Sequence, residues 1–245
     1  MRVLFVQHDH TSPVGPVGAR FEHHGYDVDE LLVVPGERFD DPGVQVDFPD
    51  PATYDVLVAM GSPWSVYDDA LIGTWVRPEL EFLRRAHSSN VPVLGICFGG
   101  QALASALGGA VVPAGASEIG WYEVDTTAPE IVESGPWFQW HHDRWDAPPG
   151  ARTLATTAVS EQAFVVGRSL AVQFHPELTP DTLRGWLGNG GSRYLESHGR
   201  DPAELVEQTE RLAGSAELRA HGLVDRFLEL VAGRIAPRGT RDRAS

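Results

Sequence analysis

The single cysteine of the chain, Cys97, lies in Gly95-Ile96-Cys97-Phe98-Gly99-Gly100-Gln101, directly after the apolar run Val91-Pro92-Val93-Leu94. That order reads as a buried strand turning sharply into a helix with small residues around the turn, the geometry that lifts a nucleophile out of the backbone. A thiol reacts as the thiolate, so its ordinary pKa of about 8.5 must fall for efficient acyl chemistry at neutral pH. The N-terminal amides of a helix starting at Phe98 supply part of that shift. A histidine base must supply the rest, and His175 in Phe174-His175-Pro176-Glu177 is the best candidate. His175 ends a predicted strand, Pro176 keeps it extended, and Glu177 falls on the same side as the imidazole. A carboxylate there fixes the ring tautomer and stabilises the imidazolium formed when the thiol gives up its proton. Alone, Cys97 reads as a small buried hydrophobe and His175 as a satisfied strand-end side chain; together with Glu177 they read as nucleophile, base and orienter.

The segments 95–101 and 174–177 together resemble the class I (triad) glutamine amidotransferase family, and within it the stand-alone domains related to the amidotransferase half of GMP synthase. The similarity extends from residue 1 to about 190. It implies that Cys97 attacks the side-chain amide of glutamine to give a γ-glutamyl thioester, that His175 protonates the departing ammonia, and that water then releases glutamate. Met60-Gly61-Ser62-Pro63-Trp64-Ser65 resembles the family's Gly-Gly-Pro loop, so Gly61 and Ser62 would hold the oxyanion with the amide of Phe98. Gln101 would help bind the substrate. His141, in a Trp140-His141-His142-Asp143 segment like the family's His-Gly-Asp loop, would face its amino-acid end. Two residues depart from the pattern: Ser62 replaces a glycine, at a cost of about 1–2 kcal/mol if positive φ is required, and His142 stands where glycine is usual.

The resemblance implies no cofactor and no metal, glutamine or another γ-glutamyl compound as substrate, and an ammonia acceptor on a separate synthase-type chain. Two other readings stay open: a hydrolase of γ-glutamyl amines or peptides through the same thioester, and a non-catalytic module that binds an amino acid.

The elements that must position these residues alternate. Arg2 to Gln7 and Val91 to Ile96 read as buried strands, and Val28 to Val34 and Tyr54 to Met60 as further strand candidates. Helices are expected around Val17 to Gly25, from Arg77-Pro78 with proline in the first turn, and from Phe98 to Leu107, stopped by Gly108-Gly109. Residues 110–172 read as short strands between turns, with the last strand at Leu170 to Phe174. Residues 180–231 have a helical period, with Leu183, Trp186 and Leu187 on one buried face and Leu218, Leu223, Phe227 and Leu230 on another. The expected fold is an open, mostly parallel, doubly wound α/β sheet with helices on both faces, flavodoxin-like. Ligands in such sheets sit at the carboxyl ends of the strands. One domain is expected over 1–235, with a motif-bearing core at 1–190, C-terminal helices at 191–235 and a frayed tail at 236–245.

Composition narrows the field further. With 19 Lys+Arg against 34 Asp+Glu the net charge is −15, which argues against nucleic acid or an anionic membrane as partner. All the cations are arginine, so neither a P-loop lysine nor a Schiff-base lysine is available. One cysteine forbids an internal disulfide, and the N-terminal apolar run is too short for a signal peptide, so a cytoplasmic protein is expected. His8, Asp9 and His10 with His141, His142 and Asp143 could be drawn as a metal site, but such pairs are common on solvated loops. Trp64, Trp121, Trp137, Trp140 and Trp145 fall near the loops that should ring a pocket, and core packing accounts for most of them equally well. Glu118-Ile119-Gly120-Trp121 reads as structural.

Overall fold

A computed structural model describes residues 1–233. The sheet is open and runs β2-β1-β3-β4-β9-β8-β7-β5-β6. Its parallel half comprises β1 (Arg2–Gln7), β2 (Asp27–Leu32), β3 (Val56–Ala59), β4 (Val93–Ile96) and β9 (Ser169–Val172). Beyond β9 the pairing turns antiparallel through β8 (Glu161–Val166), β7 (Arg152–Thr156), β5 (Ala110–Thr126) and β6 (Gly135–Asp146).

Helices cover both faces, as expected. Along β1, Val3 and Phe5 join a core with Val17 and Phe21 of α1 (Gly15–His23) and with Leu223 and Val224 of α6 (Pro202–Arg226). Leu4 and Val6 point the other way, toward Trp75, Phe82 and Leu83 of α2 (Asp69–Ser88) and Leu103 of α3 (Phe98–Ala106). A strand buried on both faces must be apolar, which is why β1, β3 and β4 read as hydrophobic runs, whereas the partly exposed edge strand β2 carries Asp27, Asp29 and Glu30. A third cluster packs Leu183 of α4 (Pro180–Trp186), Leu195 of α5 (Ser192–Ser197) and Leu205 of α6 against Ile119 and Phe138 of the β5–β6 hairpin.

Three sequence expectations need correction. α2 begins at Asp69, two turns before the Arg77-Pro78 start, and Pro78 lies inside it. An interior proline removes one helical hydrogen bond and costs about 3 kcal/mol. Ile72, Trp75 and Val76 in those extra turns are buried, and each such side chain contributes about 1.5–3 kcal/mol, so packing wins. β5 and β6 are long strands rather than short ones, because each pairs with the other over most of its length across a bulge between Pro113 and Glu118. Leu218 and Leu230 are exposed, at 73% and 50%, while Leu223 and Phe227 are buried. The tail expected at 236–245 lies outside the described residues. Among the described residues no helix is long and apolar enough to cross a membrane.

Candidate active site

Cys97 occupies the turn between β4 and α3 with φ 49° and ψ −108°; among the described non-glycine residues only Asn90 also has a positive φ. Non-glycine residues in such regions cost about 1–3 kcal/mol and persist only where the surroundings dictate them. Here the glycines dictate it. A Cβ on Gly99 would stand 2.0 Å from the carbonyl oxygen of Ala59, and one on Gly95 would stand 2.6 Å from that of Gly99. Glycine at both positions lets α3 sit directly on β3 and β4. The amide of Cys97 donates to Val172 O at 2.8 Å and that of Gly99 to Met60 O at 2.9 Å, which ties the turn to β9 and to the 60–63 loop.

His175 follows β9, and its amide donates to Phe138 O at 2.9 Å. Its Nδ1 lies 2.8 Å from Glu177 Oε1, so the ring donates there and leaves Nε2 for the cavity. Nε2 is buried and has no hydrogen-bond partner among the described residues. Gly61 bridges the gap between this ring and the thiol: a Cβ there would lie 3.0 Å from His175 Cε1 and 3.9 Å from Cys97 Cβ. Burial pushes the His175 pKa down, but the charge and hydrogen bond of Glu177 and the nearby Cys97 more than reverse this and hold it well above its ordinary 6.5. Glu177 is fully buried. Its carbonyl is crossed so closely by Gly15 that a Cβ on Gly15 would come within 2.2 Å.

The thiol has two further neighbours that sequence reasoning missed, the carbonyl oxygen of Trp140 at 4.0 Å and the side chain of Gln173. Gln173 Nε2 donates toward Cys97 Sγ at 3.5 Å, and Gln173 Oε1 accepts from Gln101 Nε2 at 3.2 Å. Gln101 also donates to the carbonyl of Asp143 at 3.3 Å. A backbone carbonyl can only accept, so this bond fixes the orientation of both amides and turns the NH₂ of Gln173 toward sulfur. Gln101 is buried, its amide is engaged by Gln173 and Asp143 rather than left free for a substrate, and like Cys97 it is not among the residues that line the cavity. His141 is likewise a buried strut: Nδ1 faces Asp143 O at 2.9 Å and Nε2 faces Glu118 Oε2 at 3.0 Å. Its segment belongs to β6 rather than to a loop, and Trp140 is the residue of that segment that reaches the cavity. His142 points to the surface, with Nδ1 2.7 Å from Ser117 Oγ and its ring near Tyr194.

The 60–63 loop forms without the strain expected at Ser62, which has no positive φ. Ser62 Oγ instead accepts from the amide of Trp64 at 3.2 Å, a turn that glycine could not make. Gly61, Ser62 and His175 line a cavity of about 220 Å³. Its walls include Asp9, Thr11 and Ser12 beyond β1, Phe39, Trp186, and Asn189 to Gly191 with Tyr194 around the break between α4 and α5. These were not singled out as pocket residues from sequence. The position of Asp9 to Ser12 just past a buried strand was the available signal. The histidines drawn as a metal site are engaged elsewhere, His8 with Glu79 and Gly61 and His141 with Glu118 and Asp143, and among the described residues no group of three His, Cys, Asp or Glu is placed to hold an ion.

A half-parallel sheet with a cysteine at positive φ on a strand-to-helix turn, and a histidine bonded to a buried glutamate on the other side of Gly61, narrows the class of protein. The family described as glutamine amidotransferase class-I matches residues 23–187, and the chain belongs to it. More particularly, it is similar to GMP synthase [glutamine-hydrolyzing] of Thermus thermophilus, 35% identical over 199 residues that cover 72% of this chain and 34% of the relative. The GMP synthase of Thermomicrobium roseum is 39% identical over 137 residues, 52% of this chain and 24% of the relative. The chain therefore spans about a third or less of these relatives. Among solved structures, a glutamine amidotransferase from Thermotoga maritima superposes with a TM-score of 0.80 at 27% identity, covering 94% of this chain and 98% of that one. One from Methylobacillus flagellatus, at 24% identity and TM-score 0.80 over 100% and 99% of the two chains, shares the fold.

Proposed function

We propose that this protein hydrolyses the side-chain amide of glutamine. The observation that carries the reading is His175, a cavity-lining ring whose Nδ1 is held by Glu177, whose buried Nε2 has no hydrogen-bond partner among the described residues, and which has Cys97 on the other side of Gly61. The Cys97 thiolate adds to the amide carbon, and the oxygen gains charge as the C=O π bond opens. The amides of Ser62 and Phe98 donate to that oxygen, a contribution worth about 10²–10³ in rate per donor. His175, protonated under the influence of Glu177 and Cys97, gives its proton to the departing nitrogen. The C–N bond breaks, ammonia leaves, and a γ-glutamyl thioester stays on Cys97. Water, deprotonated by the now neutral His175, attacks the thioester, releases glutamate and returns the proton to the Cys97–His175 pair. Gln173 stabilises the thiolate by its N–H. A synthase-type acceptor outside these 245 residues would take the ammonia, since they hold neither a lysine nor a P-loop. A lone reduced thiol suits the cytoplasm.

The test is glutamate release from glutamine by the purified protein, alone and with candidate acceptor chains. Glutamate formation that falls to background in Cys97→Ala is the expected result; equal rates for the two proteins overturn the reading. The aromatic walls of Phe39, Trp140, Trp186 and Tyr194 favour a second reading, a γ-glutamyl amine or peptide with an apolar leaving group. A panel of γ-glutamyl compounds, read by the mass of the adduct trapped on Cys97 and by turnover, separates the two.

A further inference from the structure

Beside the cavity, but outside the Cys97–His175–Glu177 group, is a buried ion pair. His8, the residue after β1, and Glu79, in the middle of α2, are both completely buried. His8 Nε2 lies 2.9 and 3.1 Å from the two carboxylate oxygens of Glu79, and its Nδ1 lies 2.9 Å from the carbonyl oxygen of Gly61. A backbone carbonyl accepts and cannot donate, so Nδ1 must carry a proton. The ring is stacked on Trp75 at 5.5 Å and meets Phe98 edge-on at 4.7 Å. Burial pushes its pKa down, but Glu79, with help from Gly61 O and Asp9, outweighs that and raises it. A buried pair of this kind gains little stability over a well-packed apolar pair, so its position calls for another explanation.

The bond to Gly61 supplies one. Gly61 C=O and Ser62 N–H belong to one peptide unit, and in a trans peptide they point in opposite directions; the described chain has no cis bond. We propose that His8 is a positioning residue: by donating from Nδ1 to Gly61 O it locks the Gly61–Ser62 peptide with the Ser62 amide turned toward Cys97, and Glu79 locks His8. This rests on the assignment of the Ser62 amide as an oxyanion donor. The neighbouring contacts agree with it. Met60 N donates to Val6 O at 3.0 Å and Met60 O accepts from Gly99 N at 2.9 Å just before the peptide that His8 holds, and Trp64 N donates to Ser62 Oγ at 3.2 Å just after it. Without His8, the Gly61–Ser62 peptide would be free to rotate, since Gly61 has no Cβ to resist it.

The variant His8→Leu/Glu79→Met removes both partners and leaves no unpaired buried charge. Its expected signature is a fall of about 10²-fold in kcat for glutamine, with KM changed less than about threefold. Alkylation of Cys97 by iodoacetamide, which needs no oxyanion donor, should keep its wild-type rate and pH profile. His8→Asn/Glu79→Gln places an amide N–H where Nδ1 was and should recover most of kcat. A folded Leu/Met variant with wild-type kcat, or one whose alkylation falls in step with kcat, overturns the proposal. If wild-type protein turns over no γ-glutamyl compound, the glutaminase reading falls and ¹⁵N NMR decides on His8. A proton resolved on His8 Nδ1 and a Ser62 amide resonance that moves in the Leu/Met variant uphold it; an unprotonated Nδ1 or an unmoved Ser62 resonance overturns it.

Discussion

Cys97 stands at a φ of 49° next to glycines that have no room for a methyl group, whereas Trp186, across the cavity, is held by hydrogen bonds from its indole to Thr11 O and Ser12 Oγ, both at 3.1 Å. The first region is fixed by backbone against backbone: Gly95 on Gly99, Gly99 on Ala59, Gly15 on Glu177. The second is fixed by side chains bonded to one another, with Asp9 accepting from Thr11 and Ser12, and Ser12 in turn meeting Trp186. Backbone contacts tolerate no substitution, while side-chain bonds can be exchanged for others of similar strength. The proposed reaction centre should therefore be brittle and the walls adjustable, so that substrate choice can change while the chemistry is kept.

The largest effect should come from placing a methyl group at the brittle centre. In Gly99→Ala the new Cβ would lie 2.0 Å from Ala59 O, so α3 must lift from β3 and the Gly99–Met60 bond must break. A cost of about 3 kcal/mol or more is expected, equal to a fall of roughly 6–12 °C in Tm for a chain of this size, with loss of activity. Gly188→Ala, in the break between α4 and α5, meets no atom within 4 Å and should stay within about 0.5 kcal/mol of wild type. Thermal unfolding of the two variants checks this; equal Tm values would erase the contrast between the regions.

Next in size is Glu177→Gln, which keeps an acceptor for His175 Nδ1 and removes the charge. Burial then prevails, the His175 pKa drops, and the proton needed by the leaving nitrogen is lost at lower pH. A fall in kcat of about 10²–10⁴ is expected, with the alkaline limb of kcat/KM moved to lower pH. The linked stability has a definite sign. Because the folded-state pKa of His175 is raised above 6.5, its contribution is complete below pH 6.5 and disappears as pH rises through the raised value. Chemical denaturation from pH 6 upward should show this loss in wild type and much less of it in Glu177→Gln. An unchanged pH profile would show that Glu177 does not govern His175.

The same contrast explains what could be read from sequence. The turn at Cys97 was legible because its constraint is local: strand, small residues and helix lie within seven positions. Glu177 was legible because it is two residues from the ring it braces. The walls were not, because Ser12 and Trp186 meet across 174 positions and neither carries a local signature. Gln101 and His141 were misplaced for a related reason. Their neighbours along the chain placed them near the cavity, but Gln173, Asp143 and Glu118 draw their polar atoms inward. Pro78 misled because proline marks a first turn only when nothing upstream is worth burying, and Trp75 is.

The smallest effect should come from the adjustable side. Trp186→Phe keeps an aromatic ring against His175, whose centroid lies 5.0 Å from that of the indole, but removes the N–H shared by Thr11 O and Ser12 Oγ. Losing a hydrogen bond of this kind costs about 0.5–1.5 kcal/mol. The bonds of Asp9 to Thr11 and Ser12 remain, so the chain beyond β1 should keep its path while the 186–191 segment loosens. If the walls bind substrate and the centre does the chemistry, that cost appears in KM, as a rise of roughly threefold to tenfold, with kcat within about twofold. Cys97 alkylation should not change. Steady-state kinetics with glutamine and with a bulkier γ-glutamyl amide would sharpen the contrast, because the larger leaving group presses harder on the wall and should show the larger rise. A drop in kcat at constant KM would break it, since the indole would then be setting the angle of His175 and the two regions would be one.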